Sequence, residues 1–129
     1  MASGSDMAEA AKNYEHTHGG VHFSYGLGKG QLVCNQFVLA VIRATVDPSF
    51  PNELADDFAA SGHFTKVDTP LKGDLVHWPG HIGIVTDPDM GYFWGSQSST
   101  GVAEANYKNG YWHGQYGGKK PDYFLRWNH

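Results

Sequence analysis

Apolar residues in the first half of the chain recur at intervals of three and four, which is the period of a helix. The predicted helices are Ala8–Glu15, Gln31–Val46 and a short helix from Asn52 to Gly62. Asp47-Pro48 ends the main helix, because the residue before a proline is biased away from helical geometry. Five glycines interrupt His16–Gly30, which is therefore predicted to be a surface loop.

After Gly62 the pattern changes to alternation, which is typical of strands. The predicted strands are His63–Val67, Leu75–Trp78, His81–Thr86, Tyr92–Gln97 and Asp122–Trp127. Proline, glycine and aspartate mark the turns between them. Helices followed by an antiparallel sheet predict an α+β fold, with Asp122–Trp127, at the end of the aromatic-rich stretch Val102–Trp127, closing the sheet.

Length and composition indicate one globular domain. The chain has 129 residues, of which 40% are hydrophobic and 17% are charged. We expect residues 1–7 to be disordered or tag-like and residues 8–129 to form the domain. A net charge of −4 argues against a nucleic-acid partner. The sequence contains no run of about 18 apolar residues, so no membrane span is predicted. The start of the chain resembles no secretory signal.

Cys34 is the single cysteine, so an intrachain disulfide and a multi-cysteine zinc site are excluded. It lies in the first turn of the main predicted helix, where free N–H groups and the helix dipole stabilise a thiolate. We therefore expect a lowered thiol pKa and a better nucleophile, with N–H groups available to an oxyanion. The alternative is a small buried apolar residue.

A thiol nucleophile needs a base, which is usually histidine. His77 and His81 have the four-residue spacing of two zinc ligands on a helix, but Pro79-Gly80 between them breaks such a helix. Zinc binding by this pair is therefore not expected, and no metal or other cofactor is predicted. His81 begins a strand, and Gly83 leaves room beside its imidazole for another chain segment to approach.

Three parts of the sequence together resemble a known family. They are a glycine-rich loop with Tyr25, Cys34 opening a helix, and the run Gly73-Asp74-Leu75-Val76 followed by Pro79-Gly80-His81-Ile82-Gly83-Ile84-Val85. This order resembles the NlpC/P60 branch of papain-like cysteine peptidases, which cut peptide bonds in bacterial cell walls. The resemblance implies a papain-like fold, with the nucleophile at a helix N-terminus packed on an antiparallel sheet.

The resemblance also implies roles for single residues. Cys34 is the nucleophile, His81 is the base, and Tyr25 faces the nucleophile and helps at the oxyanion. The family's third polar residue falls at Gly95, which cannot orient an imidazole. If Thr86 faces Tyr92 in the hairpin, counting residue pairs away from the loop places His81 opposite Gln97. Gln97 is therefore the candidate to orient the imidazole, and a register slip of one residue makes Ser96 the candidate instead.

Trp78 and Trp94, with Tyr92 and Trp112, are candidates to line a substrate cleft, although packing within the sheet is the better explanation for most of them. The resemblance implies an amidase or endopeptidase in a single catalytic domain. Its implied substrate is the peptidoglycan stem peptide, at the bond between D-glutamate and diaminopimelate.

The short chain also resembles amidase effectors that type VI secretion systems inject into rival bacteria. This implies synthesis in the bacterial cytoplasm, delivery to a target periplasm without a signal peptide, and an immunity protein as inhibitor. We expect a monomer. A thiol acyltransferase, a peptidase for another substrate, and a non-catalytic binding module stay open as alternatives.

Overall fold

The computed structural model describes residues 3–14, 34–97, 101–108 and 120–128. Its helices are α1 (Gly4–Lys12), α2 (Cys34–Ala44) and a 3₁₀ helix (Ala55–Ala60). Its strands are β1 (Phe64–Val67), β2 (Leu75–Trp78), β3 (His81–Asp87), β4 (Tyr92–Gln97), β5 (Gly101–Asn106) and β6 (Tyr123–Trp127). The strands form one antiparallel sheet in the order β1-β6-β2-β3-β4-β5. The predicted α+β class is confirmed.

The N-terminal segment differs from the prediction. Residues 1–7 were expected to be disordered or tag-like, but α1 begins at Gly4 and Met7 is fully buried in the core. The backbone N–H of Ser3 donates to the Asp6 carboxylate at 2.7 Å, which satisfies a free donor at the helix start. This expectation was wrong for residues 4–7, because a local capping interaction and burial of Met7 order them.

The strand predictions held except for β5. Strands β2 and β4 have the predicted bounds, and β1, β3 and β6 differ from theirs by one residue. β5 was missed because Gly101–Asn106 contains a single β-branched residue among alanine, glutamate and asparagine. It forms nonetheless, since all six of its residues pair with β4.

The two faces of the sheet bury different side chains. Leu75, Ile82 and Ile84 join the core beneath α1 and α2, on what we call the helix face. Val76 and Phe93 belong to a second cluster on the opposite side, the far face. This alternation follows from the two-residue period of a strand. None of the helices among the described residues has the length and apolar character to span a membrane.

The Gly73-Asp74 pair anchors the start of β2. Gly73 has a φ of +96°, and a Cβ there would lie 1.8 Å from the carbonyl oxygen of Gly4, so only glycine fits against α1. The buried Asp74 carboxylate accepts hydrogen bonds from the backbone N–H of Leu71 at 2.7 Å and from the guanidinium of Arg126 at 2.8 Å and 3.1 Å. This part of the motif therefore joins α1, β2 and β6.

Candidate active site

Cys34 lies at the start of α2, with its thiol against the turn between β2 and β3. Its S–H donates to the carbonyl oxygen of Gly80, with a sulfur–oxygen distance of 3.8 Å. The backbone N–H of Ile82 also acts on the sulfur and lowers its pKa. The thiol therefore contacts the backbone of both residues that flank His81, which is far from Cys34 in sequence.

The electrostatics of Cys34 differ from the expectation of a lowered pKa. Burial raises the pKa of the thiol above 9.0, and the carboxylate of Asp56 adds to the increase. Backbone N–H groups of Ile82, Asn35 and Cys34 itself act in the opposite direction, as expected for a helix N-terminus. The expectation was wrong in its net sign, because desolvation of the half-buried sulfur outweighs these donors.

His81 is buried at the first position of β3. It pairs with Trp78 across the turn, and the two ring centroids are 5.8 Å apart. Because opposed residues point to the same face, its imidazole leans toward the far face, while the thiol touches the backbone beside it. The space predicted beside Gly83 is filled by the ring of Phe93, which a Cβ would approach to 2.6 Å.

The register of β3 and β4 agrees with the prediction in its inner part. Ile84 pairs with Trp94 and Val85 with Phe93. Nearer the loop the prediction was wrong, because a bulge between Val85 and Asp87 makes Tyr92 pair with Asp87 instead of Thr86.

The two candidates for the residue that orients the His81 imidazole lie at the end of β4. Ser96 is buried and pairs with Val102. Gln97 ends β4, and its side chain lies outside the described part of the structure. The orienting role of either residue therefore stays a prediction.

The predicted substrate-contacting residues separate into three groups. Tyr25 and Trp112 lie outside the described residues, as does the predicted loop His16–Gly30. Trp78 is 1% exposed, and its ring packs 5.2 Å from that of Phe93, so in this conformation it supports the sheet and offers no wall to a cleft. Trp94 is partly buried against the helix-face core.

A hydrogen-bonded cluster around the buried His77, beside the turn, was not predicted. The Nδ1 atom of His77 lies 2.7 Å from Asp122 Oδ1, and its Nε2 atom lies 2.8 Å from Asp56 Oδ1. The ring also stacks on Tyr123, with centroids 4.3 Å apart. A histidine within the apolar strand Leu75–Trp78 indicates that its ring nitrogens must have hydrogen-bond partners. Both carboxylates are remote in sequence, so no spacing in the sequence identifies them.

Asp56 connects this cluster to the turn that contacts Cys34. Its Oδ1 atom also accepts the backbone N–H of Gly80 at 2.7 Å. The Gly80 N–H and, to a smaller extent, the His77 ring hold the pKa of Asp56 below 3.8, so it is a carboxylate at neutral pH. In the described part of the chain, no three histidine, cysteine or acidic side chains are grouped to hold a metal ion.

Two comparisons with known proteins identify no relative for this chain. No protein-family model matches it. A search of curated proteins finds no match either. A function therefore has to be inferred from the chain's own residues and their contacts.

Proposed function

We propose that this chain is a cysteine amidase or endopeptidase of the papain-like NlpC/P60 type that hydrolyses peptidoglycan stem peptides. One observation carries the proposal. The Cys34 thiol, at a helix N-terminus, contacts the Gly80 carbonyl and the Ile82 N–H, which belong to the residues on either side of His81. The backbone beside the proposed base thus contacts a nucleophile that is distant from it in sequence, and the reaction requires the His81 imidazole, which shares the face of Trp78 here, to turn toward the sulfur.

In the proposed reaction the Cys34 sulfur attacks the carbonyl carbon of the scissile amide, and His81 takes the thiol proton. His81 then protonates the leaving nitrogen as the C–N bond breaks, which leaves an acyl thioester on Cys34. Water attacks the thioester carbon and gives its proton to the imidazole. The C–S bond breaks, releasing the carboxylic acid, and the thiol is restored. The N–H groups of Cys34 and Asn35 would stabilise the oxyanion.

The pKa of the thiol bears on the order of these events. Burial raises it, so Cys34 carries its proton at neutral pH before substrate binds. Its S–H bond to the Gly80 carbonyl agrees with a protonated thiol. Proton transfer to His81 would then accompany the attack, as in general-base catalysis, instead of preceding it in a preformed ion pair.

The proposed substrate rests on the resemblance of the sequence motif to the NlpC/P60 branch. The proposed bond joins D-glutamate to diaminopimelate, and the proposed setting is an antibacterial effector that acts in a rival's periplasm. A producing cell would then need an immunity protein that blocks this site. The net charge of −4 gives no general attraction to an anionic wall, so binding would depend on groups local to the cleft.

Digestion of purified sacculi, followed by mass spectrometry of the muropeptides, tests activity and bond choice together. We expect the wild-type protein to release fragments, and the variants Cys34→Ala and His81→Ala to lose activity to a similar extent, because members of a catalytic unit are not additive. His63→Gln replaces a histidine that packs on Phe50 and Trp127 and should keep activity. Thermal unfolding of each variant verifies folding. Hydrolysis by Cys34→Ala would refute the covalent mechanism.

The raised thiol pKa favours a second candidate, a non-catalytic wall-binding module in which Cys34 is a buried apolar residue. This candidate predicts that the wild-type protein sediments with sacculi and releases no fragments. A thiol acyltransferase or a peptidase for another substrate instead predicts turnover of acyl donors or generic peptides, but not of sacculi.

A further inference from the structure

Asp56 makes two contacts with a single oxygen, and both stabilise the turn that adjoins Cys34. Its Oδ1 atom accepts the N–H of Gly80 at 2.7 Å and lies 2.8 Å from Nε2 of His77. Pro79 and Gly80 are exposed, and Gly80 has a φ of +84°. A two-residue turn in solvent is thus tied to the 3₁₀ helix by one carboxylate.

The Nδ1 side of the His77 ring contacts Asp122, the residue before β6. Asp122 Oδ1 lies 2.7 Å from its Nδ1 atom, and the N–H of Asp122 donates to the His77 carbonyl at 2.9 Å. His77 therefore acts as a fixed bridge between β6 and the 3₁₀ helix.

We propose that Asp56, braced by His77, is a positioning residue that holds the Pro79–Gly80 turn where the Gly80 carbonyl contacts the Cys34 thiol, next to His81. The inference rests on the proposed function, and it assigns Asp56 no contact with substrate. Gly80 connects the two parts, since its N–H is bound by Asp56 and its carbonyl accepts the Cys34 thiol. Movement of this turn would break the contact between the Gly80 carbonyl and the proposed nucleophile and would shift His81, the next residue.

Other charged groups surround the cluster. Tyr123 stacks on His77, and the ammonium of Lys66 lies 4.4 Å from the centre of the Tyr123 ring. Asp57 follows Asp56 on the 3₁₀ helix and acts on Tyr123 through its charge. Asp57 is exposed, so it offers a control with the same charge and location.

The test compares Asp56→Ala, Asp56→Asn and Asp57→Ala in sacculus hydrolysis, with kcat and KM measured well below each unfolding midpoint. Displacement of reacting groups by about 1 Å costs on the order of 100-fold, so we expect Asp56→Ala to lower kcat about 10- to 100-fold with KM little changed. Asparagine keeps an oxygen for the Gly80 N–H and should restore part of the loss. Asp57→Ala should match wild type.

A second readout does not require wall hydrolysis. The pH profile of Cys34 alkylation by iodoacetamide should move to lower pH in Asp56→Asn, because a nearby negative charge is removed, and should not move in Asp57→Asn. If the wild-type protein is inert on sacculi while this shift is present, the proposed function fails and the link between Asp56 and the thiol stands. Equal kcat in Asp56→Ala and wild type, or superimposed alkylation profiles, would overturn the inference.

Discussion

Gly83 provides the sharpest test of how the sheet supports His81. A Cβ added at this position would lie 2.6 Å from Cδ2 of Phe93 and 3.0 Å from the carbonyl oxygen of Trp94. Phe93 is fully buried, and its ring contacts Trp78, which in turn contacts His81. The extra methyl of Gly83→Ala can therefore be admitted only by moving a packed ring or by separating β3 from β4.

The expected cost follows from these contacts. Overpacking a core usually lowers the free energy of unfolding by about 1–3 kcal/mol, and contact with backbone on one side leaves little room to relax. We take about 2 kcal/mol, which corresponds to a fall in Tm of about 8 °C for a domain of this size. If Phe93 moves toward Trp78, the His81 imidazole is displaced too, so sacculus hydrolysis should fall more than the folded fraction does.

Thermal and urea unfolding of Gly83→Ala measure this cost. Gly4→Ala is the matched control, because its Cβ would meet its nearest neighbour at 3.4 Å, an ordinary contact. Shortening the obstructing ring with Phe93→Leu should make the double variant less destabilised than the sum of the single variants. A change below about 0.5 kcal/mol for Gly83→Ala, or simple additivity in the double variant, would show that Phe93 does not occupy this space as described.

Two further predictions concern the thiol and the start of β2. Since burial raises the pKa of Cys34, its thiolate fraction at neutral pH should lie below that of an ordinary cysteine, and its iodoacetamide alkylation should reach half-maximum above pH 9.0; a midpoint below that value would contradict the desolvation argument. Gly73→Ala combines a positive φ with a 1.8 Å approach to Gly4, so a loss of about 3 kcal/mol or more in urea unfolding is expected, and an unchanged midpoint would refute the α1 contact.

Several features of the fold could be predicted because their causes are local. Alternation of side chains along Leu75–Trp78 and Tyr92–Gln97, with turn residues at their ends, predicts both strands with their observed bounds. β5 has no such pattern, and its partner strand holds it in the sheet. α1 begins earlier than expected because Met7 finds a buried place in a core that local pattern does not reveal.

The candidate site also combines features with local causes, which could be predicted, and features that depend on tertiary packing, which could not. The motif made Cys34 and His81 candidates, and the structure brings the thiol to the backbone beside His81. The sign of the Cys34 pKa shift could not be predicted, because helix N–H groups are a local property whereas desolvation depends on everything packed around the sulfur. The partners of His77 could not be predicted either, since Asp56 and Asp122 come from distant segments.

The sequence by itself determined the change from helices to strands, five of the six strands among the described residues, the alternating faces of β3, and two candidate chemical groups, the Cys34 thiol and the His81 imidazole. These depend on the repeat of the backbone and on which residues turns accept, and both act over a few neighbours. Only the tertiary structure decided that the sulfur is desolvated, that Phe93 fills the space beside Gly83, and that Asp56 ties His77 to the turn. Those outcomes depend on distances between atoms that folding alone brings together, and the local pattern carries no record of them.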